Sequence, residues 1–267
     1  MVERGRSPAE DPVRLDYDGD IACVTMCRTS VCNALSPELV RSLRTTLFSP
    51  ELEEAQALVL SGGEGVFSSG ADLRYLHSAV LGETDTLLGD LITDLHAVVA
   101  RLRSLPIPVV GAIGGAAIGA GMGLALATDL RVMGRSGRMI TGHLALNGSP
   151  DAGLSFFLVR ALGRGRALAA LLLNQELTAQ VLLDDGIVHE VVPDDEVMSA
   201  AVALARRVAG VSPFSLQAAR RLVDAAPTQS LEDHLSTEEK EFRNLWCGAD
   251  FREGVTAWIE RLGARTR

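Results

Sequence analysis

Apolar and polar residues alternate over 13–27, VRLDYDGDIACVTMC, which predicts a β-hairpin turning at Asp18-Gly19. SPELVRSLRTTL then predicts a helix with Ser36 as N-cap and Pro37 at its first position. The unbroken apolar run QALVLSG (56–62) predicts a strand buried on both faces. Over 86–105 apolar residues return every three or four positions, an amphipathic helix stopped by Pro106. A strand, a glycine turn and a helix follow over 109–128, and LRVMG (130–134) predicts another strand. Strands and helices thus alternate at intervals of ~50 residues, the pattern of stacked β-β-α units wound as a superhelix. From about residue 194 only helical spacing remains, in four segments. The expected division is a core over 1–193 and a C-terminal helical region over 194–267.

The stretch VVGAIGGAAIGAGMGLALA (109–127) is uncharged and long enough to span a bilayer. Its six glycines, preceded by Pro106 and Pro108, favour a strand, a turn and a short buried helix from Ala120 to Thr128. Gly119, Gly121 and Gly123 also follow a strand as in a dinucleotide-binding turn, but that motif needs an acidic residue closing the next strand. Asp129 precedes its strand instead. A second stretch, VFSSGADLRYLH (66–77), also joins a strand end to a helix through a sharp turn. Each turn aims one backbone N–H at its strand's end, from Ala71 and from Ala120. Two such donors bind a carbonyl oxygen and hold it more strongly as it becomes an enolate, each worth ~3 kcal/mol of barrier.

Composition narrows the partners. The formal charge of −9 argues against nucleic acid or an anionic membrane. The 47% hydrophobic and 4% aromatic content predicts a core of Leu, Val and Ala. Cys23, Cys27, Cys32 and Cys247 show no C-x-x-C pairing and are expected as buried free thiols, in keeping with a reducing cytoplasm. The amino-terminal MVERGRSPAEDPV has no apolar run and reads as a frayed arm rather than a signal peptide. No metal-ligand spacing is present.

FSSGADL (67–73) and PVVGAIGGAAIGAGMGLALATDLRV (108–132) resemble the two signature segments of the crotonase superfamily, the enoyl-CoA hydratase/isomerase-like proteins. CRTSVCNALSPELV (27–40) is similar to a third, with Thr29 where a proline usually stands, and WCGADFREGVTAWIERLGAR to the closing motif. The resemblance implies an α/β fold, a crotonase-like spiral of β-β-α units with a C-terminal helical trimerisation region, assembled as homotrimers or paired trimers. It implies an acyl-CoA substrate with its thioester oxygen between Ala71 and Ala120. Arg28, Ala71, Asp72, Leu73, Arg74 and Ala120 would contact substrate or CoA. Coenzyme A enters as part of the substrate, and no bound cofactor is expected. Alanine replaces the family's usual glycine at 120, which preserves the N–H if φ there is negative.

The two glutamates of the family's hydratases align with Gly123 and His143. Asp151, in NGSPDAGLS (147–155), stands where some isomerase-type members carry an acid/base carboxylate. The leading expectation is therefore double-bond isomerisation with Asp151 as acid/base. In the structural alternative Asp151 only caps a helix at 153–160. An atypical hydratase using His143 is a further alternative. A third is a dehalogenase-like hydrolase with Asp151 as nucleophile and His96 as base, and a fourth is a member that binds acyl-CoA without turning it over.

Overall fold

The computed structural model describes residues 11–63, 65–82 and 85–265. The amino-terminal arm expected ahead of Val13 lies, as far as residue 10, outside them.

In chain order the strands and helices are β1 (Val13–Asp18), β2 (Ile21–Met26), α1 (Pro37–Leu47), β3 (Ala57–Ser61), β4 (Val66–Ser68), α2 (Leu73–Leu81) and α3 (Asp85–Ser104). The glycine-rich segment gives β5 (Val109–Ile113), β6 (Ala116–Ile118) and α4 (Ala120–Leu126). Then come β7 (Leu130–Gly134), β8 (Arg138–Ile140), α5 (Leu154–Leu172), β9 (Glu176–Thr178), α6 (Ala179–Asp184) and β10 (Glu190–Val192). Four helices close the chain: α7 (Val197–Val208), α8 (Pro213–Ala225), α9 (Leu231–Trp246) and α10 (Ala249–Arg265).

One sheet has the order β1-β2-β3-β5-β7-β10 and the other β4-β6-β8-β9. Each turn of the spiral lays one strand in each sheet: β3 then β4, β5 then β6, β7 then β8. Neighbours from successive turns pair in parallel. The hairpin turns on Gly19-Asp20, one residue beyond the expected Asp18-Gly19, with Gly19 at φ 60°.

Period-two geometry explains the continuous apolar strands. Ala22, Val24 and Met26 of β2 join the main core with Leu58 and Leu60 of β3, alongside residues of α1 and α3. The intervening Ile21 and Cys23, with Ala57, Val59, Val110 and Ala112, pack on the opposite face against Val197, Ala201 and Ala205 of α7. Helix α7 therefore covers the sheet. The chain divides after Ala209, so α7 belongs to the first unit and not to the helical region expected from residue 194.

Among the cysteines only Cys23 is buried. Cys27 is half-buried, while Cys32 and Cys247 are exposed, because the first lies on a turn and the second past the end of α9. No single helix among the described residues is long and apolar enough to cross a membrane.

The second unit, from Gly210, holds α8, α9 and α10. Phe242 makes an edge-on contact with Phe251 at 5.6 Å. Helix α9 buries none of its residues, although Leu231, Leu235, Phe242 and Trp246 give it an apolar stripe.

The spiral's turns touch where side chains are missing. A Cβ on Gly121 would lie 2.7 Å from both the Cβ and the carbonyl oxygen of Ser68. Gly121→Ala should therefore destabilise the fold by about 1–3 kcal/mol. Gly165→Ala, on the exposed part of α5 with open space around it, should be neutral or slightly stabilising. Urea unfolding of the two variants beside the parent chain checks the contrast.

Candidate active site

The first turn of the site is held from three sides. The Asn33 side chain, fully buried, donates from Nδ2 to the carbonyls of Gly62 (2.7 Å) and Phe67 (3.1 Å). Ser68 Oγ donates to Asn33 O at 2.9 Å, and Ser69 N–H to Cys32 O at 2.9 Å. Leu35 then pairs with the turn as a parallel bridge to Ala71, its N–H donating to Gly70 O at 2.8 Å. The stretch Asn33-Ala34-Leu35 is thus the clamp on Ser68-Ser69-Gly70-Ala71.

Asp72 ends the turn as the N-cap of α2, its carboxylate accepting from the N–H groups of Arg74 and Tyr75. Arg28 reinforces the same corner. Its guanidinium donates to Ala34 O and Ser36 Oγ, each at 2.8 Å, and lies 3.6 Å from the Asp72 carboxylate.

The second turn passes through Gly119, at φ 56° and ψ −123°, a conformation that suits glycine. Its N–H donates to Ile140 O at 2.9 Å, fixing the start of α4. Ala120 opens that helix and is not among the residues with positive φ, so alanine fits where the resemblance had glycine. The two turns are in contact: a Cβ on Gly70 would sit 2.5 Å from Ile118 O and 3.6 Å from Ala120 N. Among the hydrogen bonds of the described residues, neither the Ala71 nor the Ala120 N–H donates to a protein acceptor. Both residues line one cavity of about 520 Å³, which also receives His143 and Asp151.

Those two side chains form a pair. His143 Nε2 is 2.8 Å from Asp151 Oδ1, and Nδ1–H donates to Thr141 O at 2.7 Å. Because the carbonyl can only accept, Nδ1 keeps its proton and titration takes place at Nε2. The hydrogen bond to Asp151 is the largest influence and raises the His143 pKa above its usual 6.5, against the opposing effect of burial. When Nε2 is deprotonated, the Asp151 backbone N–H, 3.4 Å away, is in place to donate to it. The imidazole also lies over the second turn, since a Cβ on Gly119 would come 3.6 Å from its Cε1.

Sequence reasoning missed the residues that hold His143. Thr141 supplies the carbonyl, and Asn174 Oδ1 accepts from Gly142 N–H at 2.8 Å. Asn174 is 32 residues from that loop and in no shared motif, so only its own left-handed φ of 47° reflects the constraint.

Asp151 is not a helix cap. Gly153 is the N-cap of α5 and makes no side-chain cap bond. The turn before it places Ala152 at φ 49° and Gly153 at φ 73°, both left-handed. Ala152 then sits against α4: a Cβ on Gly123 would be 2.6 Å from Ala152 O and 2.8 Å from Ala152 Cβ. No side chain fits at 123. His96 is exposed on α3 and does not line the cavity, so the expected His96–Asp151 couple is not brought together. The Asp129 carboxylate accepts from Val109 N–H at 2.8 Å, an internal task unlike ribose binding.

A second groove of about 910 Å³ shares Ser69, Ala71 and Leu73 with the cavity and is lined by Arg28, Arg41 and Arg74. The groove also carries Glu38 and Asp72, the latter beside Arg28, so its guanidiniums outnumber its carboxylates, whereas the cavity has aliphatic walls with one His–Asp pair. A groove rich in guanidiniums, two unspent backbone donors and a largely apolar cavity are the parts that an enzyme acting on the acyl group of an anionic carrier needs.

The comparisons agree with that class. The chain matches the enoyl-CoA hydratase/isomerase family over residues 16–265 and belongs to it. It is 30% identical over 242 residues to the 1,2-epoxyphenylacetyl-CoA isomerase of Escherichia coli K12, covering 90% of this chain and 92% of that one. It is likewise 30% identical to the 2,3-dehydroadipyl-CoA hydratase of the same organism, over 90% of this chain and 92% of that protein. An enoyl-CoA hydratase structure from Polaromonas sp. JS666 superimposes with a TM-score of 0.87 at 28% identity, covering 93% of this chain and 97% of the other.

The raised His143 pKa carries a stability prediction. A group whose folded pKa is raised stabilises fully below its unfolded value and loses that contribution as pH rises through the folded one. The parent chain should therefore exceed Asp151→Asn in Tm by more at about pH 6 than at about pH 9. Imidazole NMR should show the His143 pKa falling in Asp151→Asn, since its main raising influence is removed.

Proposed function

We propose that this member of the family moves the double bond of an enoyl-CoA thioester, with Asp151 as the acid/base group. The observation that carries this reading is the pairing of Asp151 with His143 in the cavity that holds both free backbone donors, in a chain whose Gly123 cannot accept a side chain. Hydration across a double bond, as the family resemblance frames it, uses two carboxylates. Here the first position is filled by Ala152 and the second is an imidazole.

In the proposed reaction the thioester oxygen accepts from Ala71 and Ala120 N–H. Asp151 removes a proton from Cα of a 3-enoyl thioester, and the electron pair passes to the carbonyl to give a dienolate. Asp151, whose bound proton exchanges with solvent while the dienolate is held, then delivers a proton to Cγ, leaving the conjugated 2-enoyl thioester. His143, protonated at Nε2, holds Oδ1 and leaves Oδ2 to carry the proton. Arg41 and Arg74 face the CoA phosphates, whereas Arg28 and Asp72 act by fixing the Ala71 turn. Coenzyme A takes part as half of the substrate, with no resident cofactor or metal. The apolar stripe on α9, with Trp258 61% exposed on α10, supports assembly through the second unit, as a homotrimer or a pair of trimers.

Asp151→Asn should lower isomerisation by about 10²–10⁴-fold while acyl-CoA binding persists. In deuterated water the parent chain should place deuterium at Cα or Cγ of 3-enoyl-CoA, and the variant should not. Full exchange in Asp151→Asn would remove the residue from the mechanism; tight binding with no exchange in the parent chain would make the protein a binder.

A further inference from the structure

We infer that the acyl cavity is built for an uncharged aliphatic chain and rejects acyl groups ending in a carboxylate. This rests on the acyl-CoA reading of the site but not on the reaction assigned to it. Beyond the His143–Asp151 pair the walls are supplied by Leu76 of α2, Leu91, Ile92 and Leu95 of α3, and Leu146 beside His143. Among the described residues lining this cavity there is no lysine or arginine. The absence has a cause in the chain: between Arg74 and Arg101 the sequence holds Glu83, Asp85, Asp90 and Asp94 and no lysine or arginine. Arg28, Arg41 and Arg74 line the other groove and not this cavity.

An acyl group ending in CH₃ gains from this lining as each methylene leaves water. One ending in CO₂⁻ brings a charge into a cavity whose imidazolium, His143, is already paired with the Asp151 carboxylate and whose other described lining residues are uncharged. The discrimination lies in the cavity's inner walls and is independent of how the CoA end is held. It separates this chain in substrate from the 2,3-dehydroadipyl-CoA hydratase that it resembles at 30% identity.

The test is calorimetric binding of saturated CoA esters, which contain no double bond to move. Hexanoyl-CoA and adipyl-CoA have the same six-carbon backbone and differ only at the terminus. Hexanoyl-CoA should bind at least about thirtyfold more tightly, and affinity should rise by about fourfold per methylene from butyryl-CoA to hexanoyl-CoA. Ile92→Lys, at a half-buried position of α3, should cut the hexanoyl-to-adipyl preference by at least about tenfold. Adipyl-CoA binding within about threefold of hexanoyl-CoA, or affinity that does not change with chain length, would overturn the inference. If neither ester binds, the acyl-CoA reading fails with it. If hexanoyl-CoA binds selectively but 3-enoyl esters undergo no exchange, only the isomerase reading fails.

Discussion

The structure depends on backbone meeting backbone where side chains have been removed. At Gly70 the first turn lies so close to Ile118 that a single methyl would strike its carbonyl at 2.5 Å, and Gly121 meets Ser68 in the same way. Only this proximity allows two strand-to-helix turns from successive windings to line a single cavity. The hydrogen bonds that secure the turns use up neighbouring backbone groups and leave the two N–H groups of Ala71 and Ala120 without a protein acceptor. A side-chain donor in their place would titrate or rotate, whereas these amides are fixed by the fold itself.

Much of this was legible in the sequence because it is local. The hairpin, the capped α1, the amphipathic α3 and the helices after residue 194 are visible in spacing and capping residues. The two turns were readable as paired donors, whereas the role of Asn33 in the third motif segment emerges only from its bonds across to Gly62 and Phe67. The three-residue β6 was not legible, since AAI between glycines has no period of its own and becomes a strand only by pairing with β4 and β8. The place of α7 was also hidden. Its apolar face matches the opposite side of the sheet, and nothing in its own spacing distinguishes that destination from a helical bundle.

The site divides along the same line. Ala71, Ala120, His143 and Asp151 were identifiable one by one and are brought together by the spiral. Which of them pair is a tertiary fact: His143 takes Asp151 from eight residues away, while His96 stays outside on the exposed side of α3. Thr141 supports the pair through its backbone carbonyl, which leaves no trace in residue type, and Asn174 through a side-chain oxygen that reaches the Gly142 N–H from 32 residues away. Arg28 and Asp72 similarly carry charge for the sake of turn geometry, so a charged residue in a motif need not meet the ligand.

The contact between Gly123 and Ala152 has an evolutionary consequence. A glutamate at 123 cannot be gained by one substitution, because the carbonyl of a left-handed turn already occupies its place. The loop over 151–153 would have to be rebuilt first, and rebuilding it would displace Asp151. This chain and one with a carboxylate at 123 are thus separated by an epistatic barrier that no single codon change crosses.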